Sequence, residues 1–514
     1  MKKCLPKRFA VMHIGSEQVS LQVVEYVSLA EMKVVERASS QVALGEETFK
    51  NGRIGFGTVR EICDLLKGYR RIINEYGVKD YRLLATTAIR EAENQEYIVD
   101  QIKVKTGFTV EVVDVIQEIF HKYVAMFKAV DSQGLAGGEE GILFVDISSG
   151  GLGITLYEAG GLKYQQNIHI GTLRIKETFA KYQRESACFY QALSEFINST
   201  VRPVGDELRD SKIKYMVISG VETSLLLKML GYKENGSLKS IGVAEFLELH
   251  DRVKRLNIPQ VMHEFNLSQQ RAEMVLPTIA LYKQILDLAQ VDAILVSSVQ
   301  FSDGIIISEV GEKTGDSWRS TIEQQIISLT HAIGCRYKYD QRHVNQVKNA
   351  ALLLFDKMVK VHGLSPRARV LLQIAAILHD VGKFISLRRH YFYSYRIISS
   401  ADFLGVSEAE KAMIANIACY HSSLTPSMTE PQFAALTDER RMTVAKLAAI
   451  IRLAVAIDRS HLQKAVIKDI VLNADEMVIY VQAEQDISLE EWTFIDKTEF
   501  FEQVFGIKAV LRRY

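Results

Sequence analysis

Cysteine is scarce in this sequence. Five cysteines (Cys4, Cys63, Cys188, Cys335 and Cys419) are scattered through 514 residues, odd in number and without a CxxC pair. That spacing argues against a disulfide scaffold and suits a reducing compartment, so a cytoplasmic location is expected. Long apolar runs are also missing. None approaches about 18 residues, so no membrane-spanning helix is expected. The basic start, Met1 to Arg8, leads into a short strand pattern and not into a signal-peptide apolar segment. Charge of one sign is absent too: Lys plus Arg and Asp plus Glu are 62 each. The balance gives no sign of a nucleic-acid partner. The length suits three or four domains with ample core.

What is present is a strand, a tight turn of small residues and a returning strand. Ile142 to Val145 is an apolar run ending at Asp146; Ile147-Ser148-Ser149-Gly150-Gly151 follows, and apolar–polar alternation resumes through Tyr157. Small residues let backbone N–H groups approach an anion, and a carboxylate at a strand end can hold a metal or a water. Alone, the stretch also fits an ordinary glycine-rich hairpin. The same form occurs earlier, in Ala10 to Val24, where an apolar strand reaches His13, Ile14, Gly15 and Ser16 before alternation resumes. Such self-similarity predicts two equivalent hairpins facing each other across a cleft that suits a phosphate chain.

With these two loops the chain resembles the Ppx/GppA phosphatases, the exopolyphosphatase and guanosine-pentaphosphate phosphatase family. Further stretches are similar to that family: Thr86-Thr87-Ala88-Ile89-Arg90-Glu91-Ala92, Asp114 to His121, Ile170-Gly171-Thr172-Leu173-Arg174, and Ser302-Asp303-Gly304. The resemblance implies an α/β fold of two actin-like (ribonuclease H-like) ATPase-superfamily domains, residues 8–130 and 141–310. It also implies hydrolysis of a terminal phosphoanhydride of polyphosphate or guanosine pentaphosphate (pppGpp). Glu118 would activate water as the catalytic residue. Arg90, Ser148 and the backbone near Gly15, Ser16, Ser149 and Gly150 would bind phosphate. Asp146 would help hold Mg2+ in the cleft between the domains.

From about residue 316 the strand patterns stop, and helical periodicity runs to about 465. This stretch carries His343, His379-Asp380, His390, His421 and Asp458. Imidazole and carboxylate together suit a metal. The order H…HD…H…H…D resembles the HD-domain metal phosphohydrolases, which implies an all-α HD domain over 316–465 holding Mn2+, Fe2+ or Zn2+. Residues 466–514 read as a small α/β cap. No membrane partner is expected, and a homodimer is left open.

The loops depart from the family pattern. His13 stands where the family has aspartate, Gly153 where it has glutamate, and Ser148 and Ser149 where it has glycines; Gln117 and Phe120 depart beside Glu118. Losing two carboxylates weakens magnesium binding and lowers the negative charge that meets an anionic substrate. Two alternatives to the phosphoanhydride hydrolase follow: a metal-dependent phosphohydrolase seated in the HD domain, or a sensor whose cleft binds phosphate chains without turnover.

Overall fold

The computed structural model describes residues 5–514 except 149, 187, 221, 222 and 233–235. The phosphate-binding expectation on Ser149 lies outside the described residues. The chain forms two compact units, 1–325 and 326–514.

The first unit is built on two sheets. In the first, β1 (Lys7–Ile14), β2 (Gln18–Tyr26), β3 (Met32–Gln41), β4 (Asp80–Ala85) and β5 (Val110–Val112) lie in the order β3-β2-β1-β4-β5. The first three are an antiparallel meander, and β4 and β5 add in parallel. The second sheet holds β6 (Gly141–Ile147), β7 (Leu152–Glu158), β8 (Gly161–Ile168), β9 (Ile213–Gly220), β10 (Leu238–Gly242) and β11 (Ala293–Ser297), ordered β10-β11-β9-β6-β7-β8. Again a meander starts the sheet, and β9 and β11 join it in parallel. The hairpins β1–β2 and β6–β7 therefore hold equivalent places, as their matching sequence patterns anticipate. All seven residues of β6 are buried, which suits a strand covered on both faces.

Helices cover these sheets. Phe56–Glu75 starts two residues before Thr58, with Gly55 at its N-cap. The Thr58 hydroxyl donates to Glu47 (2.6 Å). Ile62, Leu66, Tyr69 and Ile73 are buried on one face, at the 3.6-residue period. Helix Val115–Ser132 is capped by Asp114, whose carboxylate accepts from the Gln117 N–H (2.7 Å). It packs closely on helix Phe301–Thr314, which also touches β1 and β2. Asp303 secures this return by accepting from the Gln22 side chain (2.9 Å) and capping the Gln300 N–H (2.8 Å).

In the second unit, helices Gln341–Lys357, Pro366–Leu378, His390–Ser400, Glu408–Cys419 and Asp438–Ala456 pack together. A three-stranded sheet follows: β12 (Val466–Leu472), β13 (Glu476–Gln482) and β14 (Lys508–Arg513), with β13 in the middle. Helix Ser488–Phe505 packs on both Asp438–Ala456 and β14. No helix among the described residues is long and apolar enough to cross a membrane.

One glycine sets the spacing of the helix pair in the first unit. A Cβ at Gly304 would overlap the backbone carbonyl of His121, which neither helix can move aside locally. Alanine inside a helix normally gains about 1 kcal/mol over glycine. Here Gly304→Ala is expected to lose roughly 3 kcal/mol in a denaturant titration, because the overlap forces the helices apart. Unchanged or increased stability would show that the two helices do not pack at this distance.

Candidate functional site

The turn between β1 and β2 is closed by the Gly15 N–H on the Gln18 carbonyl (2.9 Å). The turn between β6 and β7 is closed by the Ser148 N–H on the Gly151 carbonyl (2.9 Å), while the Gly151 N–H meets the Ser148 hydroxyl (3.0 Å). These three N–H groups serve their own turns. Between the hairpins lies a cavity of about 330 Å³, at the carboxyl ends of β1 and β6, where ligand sites of open α/β sheets gather. Hydroxyls line it: Ser16, Thr86, Thr87, Ser148, Ser219 and Thr223. A recess of about 20 Å³ adjoins it and carries Arg90, Gly150 and Gly153.

The charged groups of the cavity form one connected set. Glu118 and Lys122 are four residues apart, so they share a face of helix Val115–Ser132. That face meets Asp146 at the end of β6. The Lys122 ammonium lies 3.0 Å from Asp146 Oδ2 and 3.4 Å from Glu118 Oε1. The other oxygen of Asp146 accepts from the Ser219 hydroxyl (2.5 Å). The other oxygen of Glu118 accepts from Arg90 Nη1 (3.2 Å) and the Thr87 hydroxyl (3.4 Å). Arg90 also donates to the Val113 carbonyl (2.8 Å) and Thr87 (2.9 Å). It was expected to bind phosphate; in this structure it holds Glu118.

Burial alone would raise the Glu118 carboxyl, but Lys122 and Arg90 outweigh it and hold it below the usual range. Burial would likewise strip the proton from Lys122, and the Asp146 and Glu118 carboxylates instead hold it above the ordinary lysine range. Burial pushes His13 down to about 4 against the pull of Glu118, so its ring is neutral at pH 7. It contacts Thr86 Oγ1 (3.0 Å) and packs on Phe301.

The residues of this cleft do not fit the magnesium ion that the resemblance implies. Magnesium needs near-ideal oxygen coordination at about 2.0–2.1 Å. All four oxygens of Asp146 and Glu118 already face donors, and the space between the two carboxylates holds an ammonium. His13 supplies no carboxylate, and Gly153 faces the apolar side chain of Ile119.

The helical unit gathers a second constellation. Helix Pro366–Leu378 ends at His379, and Gly382 in the following 3-10 turn lets helix His390–Ser400 approach so closely that a Cβ there would meet the His390 carbonyl. Asp380 then sits among four imidazoles. Its Oδ2 lies 3.7 Å from His343 Nε2 and 3.6 Å from His379 Nε2; its Oδ1 lies 3.3 Å from His390 Nε2 and 3.5 Å from His421 Nε2. Two three-residue groups result, His343–His379–Asp380 and Asp380–His390–His421, each compact enough for one metal ion. Asp458, expected as a ligand, pairs with His343 Nδ1 (2.8 Å). His379 Nδ1 donates to the Ala376 carbonyl (2.8 Å) and His421 Nδ1 to the Ala418 carbonyl (2.6 Å). Those partners assign the proton to Nδ1 and leave Nε2 as a lone pair. Yet His343 Nε2 faces His379 Nε2 at 3.2 Å, and His390 Nε2 faces His421 Nε2 at 3.1 Å. Lone pairs held this close need a positive charge, and carbonyl or carboxylate partners on the opposite nitrogen are what metal-ligating histidines have. Lys383 supplies one charge, 2.5 Å from Asp380 Oδ2.

The chain that carries these two constellations belongs to a recognisable class. A family model described as the Ppx/GppA phosphatase family matches residues 22–313, and a second, Ppx/GppA phosphatase domain III, matches 328–497. The chain belongs to the Ppx/GppA phosphatase family. A guanosine-5'-triphosphate,3'-diphosphate pyrophosphatase of Vibrio vulnificus is 21% identical over 453 residues, 86% of each chain. A protein of the same name from Aeromonas hydrophila is 20% identical over 79% of each chain. Among solved structures, the Aquifex aeolicus member of the Ppx/GppA family aligns with a TM-score of 0.52 at 22% identity, over 60% of this chain and 99% of that one. An exopolyphosphatase from Cytophaga hutchinsonii gives 0.50 at 20% identity, over 60% and 98%. At these identities the likeness shows the fold alone, the α/β architecture of the family.

The structure thus brings Glu118, Asp146, Gly15, Ser16 and Ser148 to one cavity, with Arg90 and Gly150 in its recess. Sequence reasoning missed Lys122, Ser219 and the exposed Arg271 on the cavity lining. A lysine four residues after Glu118 was the signal available for the first.

Two half-buried histidines of the first unit, His13 and His121, give an acid limit. Unfolded, they take up protons near pH 6.5. Folded, His13 waits until about 4 and His121, half-buried and beside Arg82, until about 3. Stability is therefore complete above pH 6.5 and falls as the pH drops toward 4, by about 3 kcal/mol for His13. His13→Asn should flatten the fall in thermal midpoint over that window. An equal slope in wild type and variant would contradict the burial argument.

Proposed function

We propose that this protein is a phosphohydrolase that releases terminal phosphate from polyphosphate or pppGpp in the cleft of the first unit. The observation that carries the reading is Glu118, fixed by Arg90 and Lys122 and aimed into a hydroxyl-lined cavity between two equivalent turns. The names of the relatives support it: pyrophosphatases for pppGpp and an exopolyphosphatase. Water would attack the terminal phosphorus, the bridging P–O bond would break, and the shortened chain would leave with that oxygen. Glu118 is held too acidic to be a strong base, so its task is to orient the water. Phosphoryl transfer asks chiefly for positioning and charge stabilisation. Arg271, Lys122 and the hydroxyls would meet the phosphate oxygens. Phosphate release from both substrates should fall about 100-fold or more in Glu118→Gln, with binding little changed. Equal turnover in the variant would remove Glu118 from the mechanism. Binding without release in wild type would make the cleft a sensor.

A second reading rests on the facing lone pairs of the helical unit. That unit is an HD-type metal domain, with His343, His379, Asp380, His390 and His421 holding one or two transition-metal ions and Asp458 orienting His343. Such ions supply Lewis acidity toward a phosphate ester. The donor set suits manganese, iron or zinc better than magnesium. Metal analysis of the purified protein should find such an ion in wild type and little in Asp380→Ala, which removes the carboxylate common to both groups. Equal metal content in both, or none in either after growth with added manganese and iron, would reject the domain as a metal site.

A further inference from the structure

We propose that Lys122 is the resident cation of the phosphate cleft: its ammonium takes the place of a divalent ion between Glu118 and Asp146, so the cleft holds phosphate chains without a metal. The proposal rests on the reading that phosphate chains enter this cleft.

Geometry is the first support. Two carboxylates from different elements, one at a helix start and one at a strand end, converge on a single point. In a phosphate site such a point is normally filled by a divalent ion that bridges carboxylate and phosphate oxygens. Here the Lys122 ammonium fills it, 3.0 Å from one carboxylate and 3.4 Å from the other. An ammonium and a divalent ion cannot share that point. Together they would place three positive charges on two carboxylates in a pocket where Asp146 is only 4% exposed.

The hydrogen-bond inventory is the second support. Each carboxylate has one oxygen toward Lys122. The remaining oxygen of Asp146 is taken by Ser219, and that of Glu118 by Arg90 and Thr87. The two acids and two bases are already neutral as a group, so no net negative charge remains to recruit a free cation. A lysine ammonium has three donors and no acceptor. Two are directed to Asp146 and Glu118, and Lys122 also lines the cavity, which leaves the third for a phosphate oxygen.

The neighbouring substitutions are the third support. His13 is neutral and Gly153 carries no side chain, so neither of these two positions adds a carboxylate beside Glu118 and Asp146 to compete with the lysine. One tethered positive charge stands where a divalent ion would bring two. A monovalent ammonium polarises phosphate less than a divalent ion does. The consequence is a cleft that binds phosphate chains in the absence of metal and turns them over slowly.

Mn2+ binding to the full chain, counted by electron paramagnetic resonance, tests this without any substrate. Wild type and Asp146→Asn should bind the same number of ions, because the cleft contributes none. Lys122→Ala should bind one ion more than wild type and gain thermal stability when Mn2+ is added. Lys122→Ala combined with Asp146→Asn should lose that extra ion. Loss of an ion on Asp146→Asn in the wild-type background would overturn the proposal, even if Lys122→Ala fails to fold. A Lys122→Ala protein that folds and gains no ion would also overturn it. In parallel, polyphosphate binding to wild type should persist in EDTA within about threefold of its value in magnesium, under 1 kcal/mol. A tenfold or greater loss in EDTA would count against Lys122. Absence of polyphosphate and pppGpp binding under both conditions would reject the proposed function while the ion count still decides the role of Lys122.

Discussion

Two carboxylates pressed into a shared, poorly hydrated space repel each other and cannot both stay ionised unless something positive stands between them. Glu118 and Asp146 are in that position. The arrangement of the first unit depends on how the conflict is resolved, because the same two residues join a helix start to a strand end. Lys122 resolves it from within the helix that carries Glu118, and Arg90 and Ser219 complete the set. Removing any one of these partners would leave a buried charge exposed to the full cost of desolvation, commonly about 3–5 kcal/mol for a broken buried pair.

The helical unit meets the opposite problem. Its four Nε2 atoms converge as lone pairs, with their Nδ1 partners directed to Asp458, Ala376, Ala418 and Leu387. Lys383 meets one oxygen of Asp380 and, at 3.4 Å, His461 Nε2, and among the described residues it is paired with none of the four converging Nε2 atoms. One unit carries its cation as a side chain, while the other presents a set of ligands that asks for one from outside. The two chemistries need not share substrate or metal.

How much of this was legible in the sequence varies by element. The hairpins β1–β2 and β6–β7 were readable because a buried apolar run, a small-residue turn and a return with period two leave a clear trace. The histidines and Asp380 were readable as a set because their order along the chain, H…HD…H…H, resembles that of the HD domains, and the structure gathers them. Asp458 was readable as a member but not as the partner of His343 Nδ1, because only the folded helix pair decides which nitrogen it meets. Lys122 was invisible for a physical reason. A glutamate followed four residues later by a lysine is the ordinary surface pair of any helix. It becomes part of a site only when β6 brings Asp146 against the same face. Arg271 is similar: it is an exposed residue of a distant helix, placed on the cavity by topology.

The account stands on the division of cations between the two units, and one diffraction experiment addresses it directly. A crystal of the full wild-type chain soaked in Mn2+ and measured at the manganese absorption edge would show each bound ion as an anomalous peak. The account predicts peaks among His343, His379, Asp380, His390 and His421, and none between Glu118 and Asp146, where density for the Lys122 side chain should run instead. A manganese peak between those two carboxylates, with Lys122 turned away, would contradict it.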